Sequence, residues 1–164
     1  MIETERLVLR PLTRADTDLL VALHADERVS RFVGSYTRER AEERLAGIER
    51  QWTERGHGLC AVELKETGAF IGRTGLQYWE CYDETELGWT FAAQSWGNGY
   101  ATEAARACLV WGWRTLDVPY VTAMIRHGNT PSTRVARRLG FAPLREDELH
   151  GNPVTVHCLD RPVV

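Results

Sequence analysis

Apolar residues recur at helical spacing in four segments of the chain, and strand-like runs of apolar and β-branched residues fill the segments between them. The predicted helices are Thr13–Ala25, Thr37–Arg55, Tyr100–Leu116 and a short one from Pro131 to Gly140. The predicted strands are Leu7–Arg10, Leu59–Leu64, Ala69–Trp79, Thr85–Phe91, Tyr120–Ile125, Phe141–Leu144 and Val154–Leu159. The order β-α-α-β-β-β-α-β-α-β-β indicates a mixed α/β or α+β domain with a largely antiparallel sheet of about seven strands.

A glycine-containing turn joins the predicted strand that ends at Phe91 to the helix that begins at Tyr100. A turn of this kind exposes backbone N–H groups, and the helix start adds further unpaired N–H groups and the positive end of the helix dipole. Gly97 and Gly99 lack a Cβ, so the backbone is able to approach an anion closely. The segment therefore predicts a phosphate or pyrophosphate site.

The residues of this turn match one of three known kinds of nucleotide-binding loop. A Walker loop requires Gly-Lys followed by Ser or Thr, which the turn lacks. The dinucleotide fingerprint requires a third glycine where the chain has Thr102, and the preceding region is antiparallel in character. The remaining type, a pyrophosphate loop with the pattern Q/R-x-x-G-x-G/A, matches at Gln94, Gly97 and Gly99.

The composition argues against general nucleic-acid binding and against a membrane-spanning segment. With 164 residues, 43% of them hydrophobic, residues 1–164 are expected to form one domain with its own core. The formal net charge of −3 argues against general nucleic-acid binding, which requires a basic excess. There is no signal peptide and no apolar run near the roughly 18 residues that span a membrane, so we expect a cytoplasmic protein without a membrane partner.

The four cysteines predict neither a metal site nor a disulfide framework. No two of them form a C-x-x-C pair; they are Cys60, Cys81, Cys108 and Cys158. The simple interpretation is four reduced thiols in a cytosolic protein, without a bound metal.

Three segments in a fixed order carry a family resemblance: Thr4–Pro11, Trp96–Ala104, and the pattern N-x-x-S-x-x-V-x-x-x-L-G-F over Asn129–Phe141. The last segment, Val154–Arg161, also matches. The chain resembles the GNAT superfamily of acyl-CoA N-acyltransferases, and within it the RimJ/RimL-like group. The resemblance covers essentially the whole chain. It implies the GNAT fold, acetyl-CoA as acyl donor and a primary amine as acceptor.

The resemblance also implies where acetyl-CoA binds. It should lie in a V-shaped opening where the strand ending near Phe91 diverges from the predicted strand Tyr120–Ile125. The backbone of Phe91 and Ala92 should pair with the pantetheine amides, and an N–H group there should stabilise the oxyanion. Asn129 looks like the family asparagine that contacts the cofactor from the opposite side, and it also suits a helix cap. The implied cofactor-binding residues are Phe91, Ala92, Gln94, Gly97, Asn98, Gly99, Tyr100, Ala101, Thr102, Asn129 and Ser132.

Glu86 is the candidate general base for the attacking amine. It lies on the strand that enters the cofactor loop, where the family often has a carboxylate facing the acceptor, and it alternates with Gly88 and Thr90. The alternative interpretation is a solvent-facing carboxylate on a strand. The nearby carboxylates held in reserve are Glu80, Asp83 and Glu84.

The general acid is a departure from the family pattern. Many GNAT enzymes have a tyrosine five residues before the phenylalanine of the Gly-Phe pair, and this chain has Ala136 there. Ser132 is the candidate replacement, because RimJ/RimL-like proteins have a serine at this point. The alternative is that Ser132 only contacts the cofactor and that the thiolate leaves without an acid.

The resemblance does not identify the amine acceptor. A protein N-terminal α-amine and a small-molecule amine both remain open, and Tyr36 and Trp79 are candidates for lining the acceptor pocket. Specificity is expected to depend on Val29–Arg55 and Gln77–Thr85. A non-catalytic acyl-CoA-binding module with the same fold is the alternative function, and family analogy suggests a homodimer.

Overall fold

A computed structural model describes residues 1–163 of the chain and contains one eight-stranded sheet with helices on both faces. The sheet order is β1-β2-β3-β4-β5-β6-β8-β7. Its strands are β1 (Ile2–Glu3), β2 (Leu7–Pro11), β3 (Leu59–Leu64), β4 (Phe70–Trp79), β5 (Glu84–Phe91), β6 (Tyr120–Arg126), β7 (Ala142–Leu149) and β8 (Asn152–Asp160). The predicted mixed, largely antiparallel architecture is confirmed.

The helices are α1 (Thr17–Ala25), α2 (Glu27–Val33), α3 (Arg38–Arg55), α4 (Tyr100–Thr115) and α5 (Thr130–Leu139). The sequence analysis missed α2 as a separate helix and also missed β1. Both are too short for a periodic pattern to develop, and the signals of α2 lie in its caps. The side chain of Asp26 accepts a hydrogen bond from the N–H of Arg28, and Gly34 ends the helix. No helix within residues 1–163 is long and apolar enough to cross a membrane.

The two faces of the sheet have separate cores because successive strand residues point to opposite sides. Cys60 and Val62 pack with α4, whereas Leu59 and Ala61 pack with α1 and α3. Helix α4 lies very close to β4: a Cβ added to Gly112 would lie 2.4 Å from Cδ1 of Leu76. There is therefore no room for a ligand between α4 and β4 at this point, and the opposite face, covered by α1, α2 and α3, contains a cavity over β4 and β5.

One pair of strands departs from the antiparallel pattern. Strand β5 pairs with β4 along its whole length, from Trp79↔Glu84 to Gly72↔Phe91. Its other neighbour, β6, is parallel to it and is in register only at Glu86↔Thr122. Beyond that pair the two strands separate, so the sheet contains the predicted V-shaped opening beside Phe91.

Candidate active site

The turn after β5 offers a row of unpaired backbone N–H groups. Gly97 and Gly99 both have φ of +78°, in the left-handed region that favours glycine, and Gly99 is the N-cap of α4, which has no side-chain cap hydrogen bond. Within residues 1–163, the first N–H of this helix that donates to the chain is that of Glu103, which bonds to the carbonyl of Gly99 at 3.0 Å. The N–H groups of Gly97–Thr102 are therefore available to an anion.

Two side chains of the turn stabilise it through hydrogen bonds to backbone carbonyls. The indole Nε1 of Trp96 donates to the carbonyl of Phe91 at 2.8 Å, and Nδ2 of Asn98 donates to the carbonyls of Ser95 and Trp96. A Cβ on Gly97 would meet no atom within 4 Å, so the space in front of the turn is open. The turn thus fits a pyrophosphate group, with Asn98 contributing its N–H while its side chain holds the loop.

The helix start is also fixed to the N-terminal strand region. Glu103 accepts hydrogen bonds from the hydroxyl of Thr4 at 2.6 Å and from the backbone N–H of Arg6 at 3.0 Å. The guanidinium of Arg6 pairs with Glu103 at 2.6 Å and lies 4.5 Å from the ring centre of Tyr100. These contacts give the segment Thr4–Pro11 a structural role beside the anion-binding turn.

The edge of β5 that faces the opening differs from the prediction at one residue. The N–H of Ala92 donates to the carbonyl of Ile71 at 2.9 Å, and its carbonyl accepts from the N–H of Ser95 at 2.8 Å. Ala92 therefore has no free N–H for pantetheine, which corrects that expectation. Because hydrogen bonding alternates along an antiparallel strand, the N–H groups of Phe91 and Trp89 point toward β6 instead.

Asn129 and Ser132 lie on the other side of the opening, at the start of α5. Oδ1 of Asn129 accepts the N–H of Ser132 at 3.3 Å, so Asn129 is the helix cap. Both residues also line the cavity that extends from this opening. The predicted cap is confirmed, and the position also suits the predicted cofactor contact.

A cavity of about 780 Å³ extends from this opening over the face of the sheet covered by α2 and α3. Polar and aromatic side chains from α3, β4, β5 and the loop before α3 line this cavity; they include Tyr36, Arg44, Arg73, Gln77, Trp79 and Glu86. Tyr36 and Trp79 thus line the cavity as the sequence suggested. Glu86 and Ser132, predicted as base and acid, share the same cavity.

The carboxylate of Glu86 is buried, with only 9% of the residue exposed. The indole Nε1 of Trp79 donates to its Oε2 at 2.5 Å, and the N–H of Met124 donates to its Oε1 at 3.2 Å. Burial raises the pKa of Glu86, and these hydrogen bonds together with Arg44 and Arg73 oppose that rise. The solvent-facing alternative is therefore wrong.

The reserve carboxylates lie outside the cavity. Glu84 forms a bidentate pair with Arg145 at 2.8 Å, and the hydroxyl of Tyr78 donates to Asp83 at 2.7 Å. Glu80 is exposed. Within residues 1–163 there is no group of three or more His, Cys, Asp or Glu side chains that could hold a metal ion.

Sequence reasoning missed Arg44 and Arg73, two of the arginines that line the cavity, and the histidine behind it. Nδ1 of His24 lies 2.8 Å from the carbonyl of Gly34, and the edge of its ring packs against Tyr36. Burial lowers the pKa of His24 to about 4, so the ring is neutral at pH 7. The available signal for Arg73 was its spacing of four residues from Gln77, which places both on one face of β4.

Residues 6–142 match the acetyltransferase (GNAT) domain family. The chain belongs to the GNAT acetyltransferases. This assignment covers both the anion-binding turn and the cavity, and it makes the protein an acyltransferase enzyme by family. The tyrosine position of the GNAT pattern is held by Ala136, which is fully buried.

Similar proteins support the same family and fold. The protein YkkB of Bacillus subtilis is 38% identical over 111 residues, which are 65% of this chain and 64% of that relative. The acetyltransferase of Agrobacterium tumefaciens is 33% identical, with a TM-score of 0.84 over 96% of this chain and 92% of its own. RimL, a ribosomal L7/L12 α-N-protein acetyltransferase solved with coenzyme A, is 16% identical with a TM-score of 0.79 over 96% and 95%. At that identity the RimL similarity shows the fold alone.

Proposed function

We propose that the protein transfers the acetyl group of acetyl-CoA to a primary amine by direct attack in a ternary complex. One observation carries the proposal: the buried carboxylate of Glu86 lies near the start of β5, and the free N–H groups of Gly97–Thr102 lie in the turn that follows the end of the same strand. The opening between β5 and β6 lies between them. Acetyl-CoA bound at the turn would therefore place its thioester in the opening, close to an amine bound beside Glu86.

The cofactor side of the proposal uses the backbone. The N–H groups of Gly97–Thr102 would hold the pyrophosphate, and the β6-facing edge at Phe91 and Trp89 would bind the pantetheine amides. Asn129 would contact the cofactor from α5. Acetyl-CoA, when bound, supplies the thioester whose carbonyl carbon the amine attacks.

Glu86 is the proposed general base. An alkylammonium must lose a proton to become nucleophilic, and a buried carboxylate with a raised pKa accepts that proton near neutral pH more readily than an ordinary one. The hydrogen bonds from Trp79 and Met124 fix both oxygens in place. The proton passes from the amine to Glu86 directly or through one water molecule.

Ser132 is the proposed proton donor to the leaving sulfur. Ser132 lines the cavity from the first turn of α5. A thiolate near its own pKa of about 8.5 is a tolerable leaving group, so this contribution is small compared with that of Glu86.

The acceptor is a protein N-terminal α-amine, as in the name of the RimL neighbour, or a small-molecule amine. The same site accepts either in principle, because an amine with a pKa near 8 and one near 10.4 differ only in how much help the base must give.

A non-catalytic acyl-CoA-binding module is the second candidate. Its support is Ala136, which leaves the family tyrosine position without a hydroxyl. Binding of acetyl-CoA without turnover over a wide panel of amines would favour this second function.

Calorimetric titration of the purified protein with acetyl-CoA tests the cofactor, with NADH and ATP as controls. We expect saturable binding of acetyl-CoA alone. Release of free thiol, followed with a panel of amines, then tests transfer. An absence of acetyl-CoA binding would overturn both candidate functions.

A further inference from the structure

The cavity beside Glu86 carries an excess of positive charge. Its lining includes four arginines and two glutamates: Arg40, Arg44, Arg73, Arg126, Glu43 and Glu86. Within residues 1–163 none of these arginines forms a salt bridge, whereas arginines elsewhere, such as Arg10 and Arg145, pair with carboxylates. The cavity therefore presents cations that the protein itself does not neutralise.

Arg40 is exposed, and Arg73 is the least satisfied of the three half-buried arginines. Arg44 donates to Oε1 of Gln77, and Arg126 donates to the carbonyl of Arg31 and to Asn152. The half-buried guanidinium of Arg73 has no hydrogen-bond acceptor among residues 1–163. A guanidinium fork without a partner matches a carboxylate, which it binds through two parallel hydrogen bonds.

The sheet between Arg73 and Glu86 carries no side chain on the cavity face. Arg73 lies opposite Thr90, and Gln77 lies opposite Glu86, about 13 Å further along the same face of the sheet. The residues between them are the glycine pair Gly75 and Gly88. A Cβ at Gly75 would lie 2.2 Å from the carbonyl oxygen of Gly58, so the chain itself covers that residue, whereas the nearest atom to a Cβ at Gly88 belongs to Leu59, 4.0 Å away. A small acceptor is thus able to lie over Gly88, with one end toward Arg73 and the other near Glu86.

Neither carboxylate of the cavity is paired with Arg73. Among residues 1–163, Glu43 and Glu86 form no salt bridge with it, and the oxygens of Glu86 accept hydrogen bonds from Trp79 and Met124. His24 behind the cavity is neutral at pH 7. The pantetheine arm contains amides and a thioester and has no anionic group. The remaining candidate for the counter-ion is the acceptor itself.

We propose that the acceptor amine carries a carboxylate, which Arg73 binds and Arg44 flanks while the amine lies beside Glu86. This inference rests on the proposed acetyltransferase function and names its substrate class. Two sources offer the same chemistry: the α-carboxylate of a free amino acid, and an acidic side chain at the N-terminus of a peptide.

Matched pairs of acceptors test the carboxylate. Thiol release is measured for each of the twenty amino acids against its α-amide, and for a tripeptide amide beginning with aspartate against one beginning with asparagine. We expect at least one acid to exceed its neutral partner by about 10- to 100-fold in kcat/KM, mainly through KM. The preferred pair identifies the source, and equal turnover of all pairs would overturn the inference while the proposed function stands.

Variants of Arg73 and Arg44 test whether these arginines cause the preference for acids over amides. Arg73→Gln should reduce the acid-to-amide ratio to near 1 without changing acetyl-CoA affinity, and Arg73→Lys should restore part of it. Arg44→Gln, on a different element, should reduce the ratio several-fold and serves if the first variant does not fold. Arg50→Gln, an exposed position on the same helix as Arg44, is the matched control. An unchanged ratio in both cavity variants would contradict the assignment.

Calorimetry separates this inference from the proposed function. Binding of the same acids and amides to the CoA-loaded protein requires no turnover. If no amine is acetylated but acids still bind more tightly than amides, the transfer reaction fails and the carboxylate site stands. If acids and amides bind equally, the carboxylate site fails.

Discussion

Two regions of the molecule are built from different materials: the turn proposed to bind the cofactor and the cavity proposed to bind the acceptor. The proposed cofactor end is made of backbone N–H groups in one continuous turn, Gly97–Thr102. The proposed acceptor end is made of side chains from separate elements, with Glu86 on β5, Arg73 on β4 and Arg44 on α3. A backbone site depends on conformation and tolerates many side chains, whereas a side-chain site changes with any one substitution. The comparison explains why members of a family can share a donor and differ in acceptor.

Replacing the base should give the largest effect and should affect only the acceptor end. We expect Glu86→Gln to lower kcat by about 10²- to 10⁴-fold while calorimetry shows unchanged acetyl-CoA affinity. Glu66→Gln, in the exposed turn after β3, is the control. A loss of acetyl-CoA affinity in Glu86→Gln would mean that the two ends are not separate.

The pH profile sharpens the same test. Burial raises the pKa of Glu86, and a carboxyl group acts as a base only when ionised. The wild-type kcat/KM should therefore show an inflection as the pH drops through that raised pKa, in addition to the one set by the pKa of the amine, and the glutamine variant should show the amine inflection alone. A variant that retains the inflection assigned to Glu86 would exclude Glu86 as the base.

Substitution in the turn should affect only the cofactor end. Gly97→Glu places bulk and negative charge beside the pyrophosphate, so we expect acetyl-CoA affinity to fall at least ~100-fold, or ~2.7 kcal/mol. Gly68→Glu is a matched control, because Gly68 also has a positive φ and no atom within 4 Å of an added Cβ. Equal effects of the two variants on affinity would contradict the loop assignment.

Ser132→Ala should have a moderate effect on rate. We expect kcat to fall by about 10-fold or less and acetyl-CoA affinity to change less than kcat, because the hydroxyl acts on the leaving sulfur. Kinetics and calorimetry on the same preparation measure both quantities. Equal losses would make Ser132 a cofactor contact without a role in proton transfer.

The smallest expected effect concerns the cap of α5. Asn129→Ala should lower the free energy of unfolding by about 1 kcal/mol, because the N–H of Ser132 loses its side-chain acceptor. Thermal unfolding measures the loss, and Asn129→Asp, which retains a capping oxygen, is the control. If the aspartate variant is equally unstable, the cap does not explain the stability of this helix start.

The sequence predicted the conformation of the turn after β5 well because the signals for it are local. Gly97, Gly99 and the helix start are contiguous, and their conformational demands can be recognised from residue type. The backbone role of Ala92 was wrong because the phase of hydrogen bonding along β5 depends on its pairing with β4. Nothing in the residue sequence determines that phase.

The acceptor end was predicted only in part. Glu86 was found through its place on the strand before the loop, but Arg73 and Arg44 were missed. Their significance depends on the register that puts Gln77 opposite Glu86 and on the packing of α3 over β4. Arginines at such spacing are otherwise typical of solvated faces, so only the fold distinguishes these two.

The absence of a side chain at Gly88, on the cavity face of β5, has an evolutionary consequence. A Cβ added there would have Leu59 as its nearest neighbour, 4.0 Å away, and its φ lies outside the left-handed region. A Gly88→Ala substitution therefore fits the fold, and its methyl group shortens the space between Arg73 and Glu86. Under the proposed function, single mutations at this position offer a route to a change of acceptor length that does not alter the turn proposed to bind the donor.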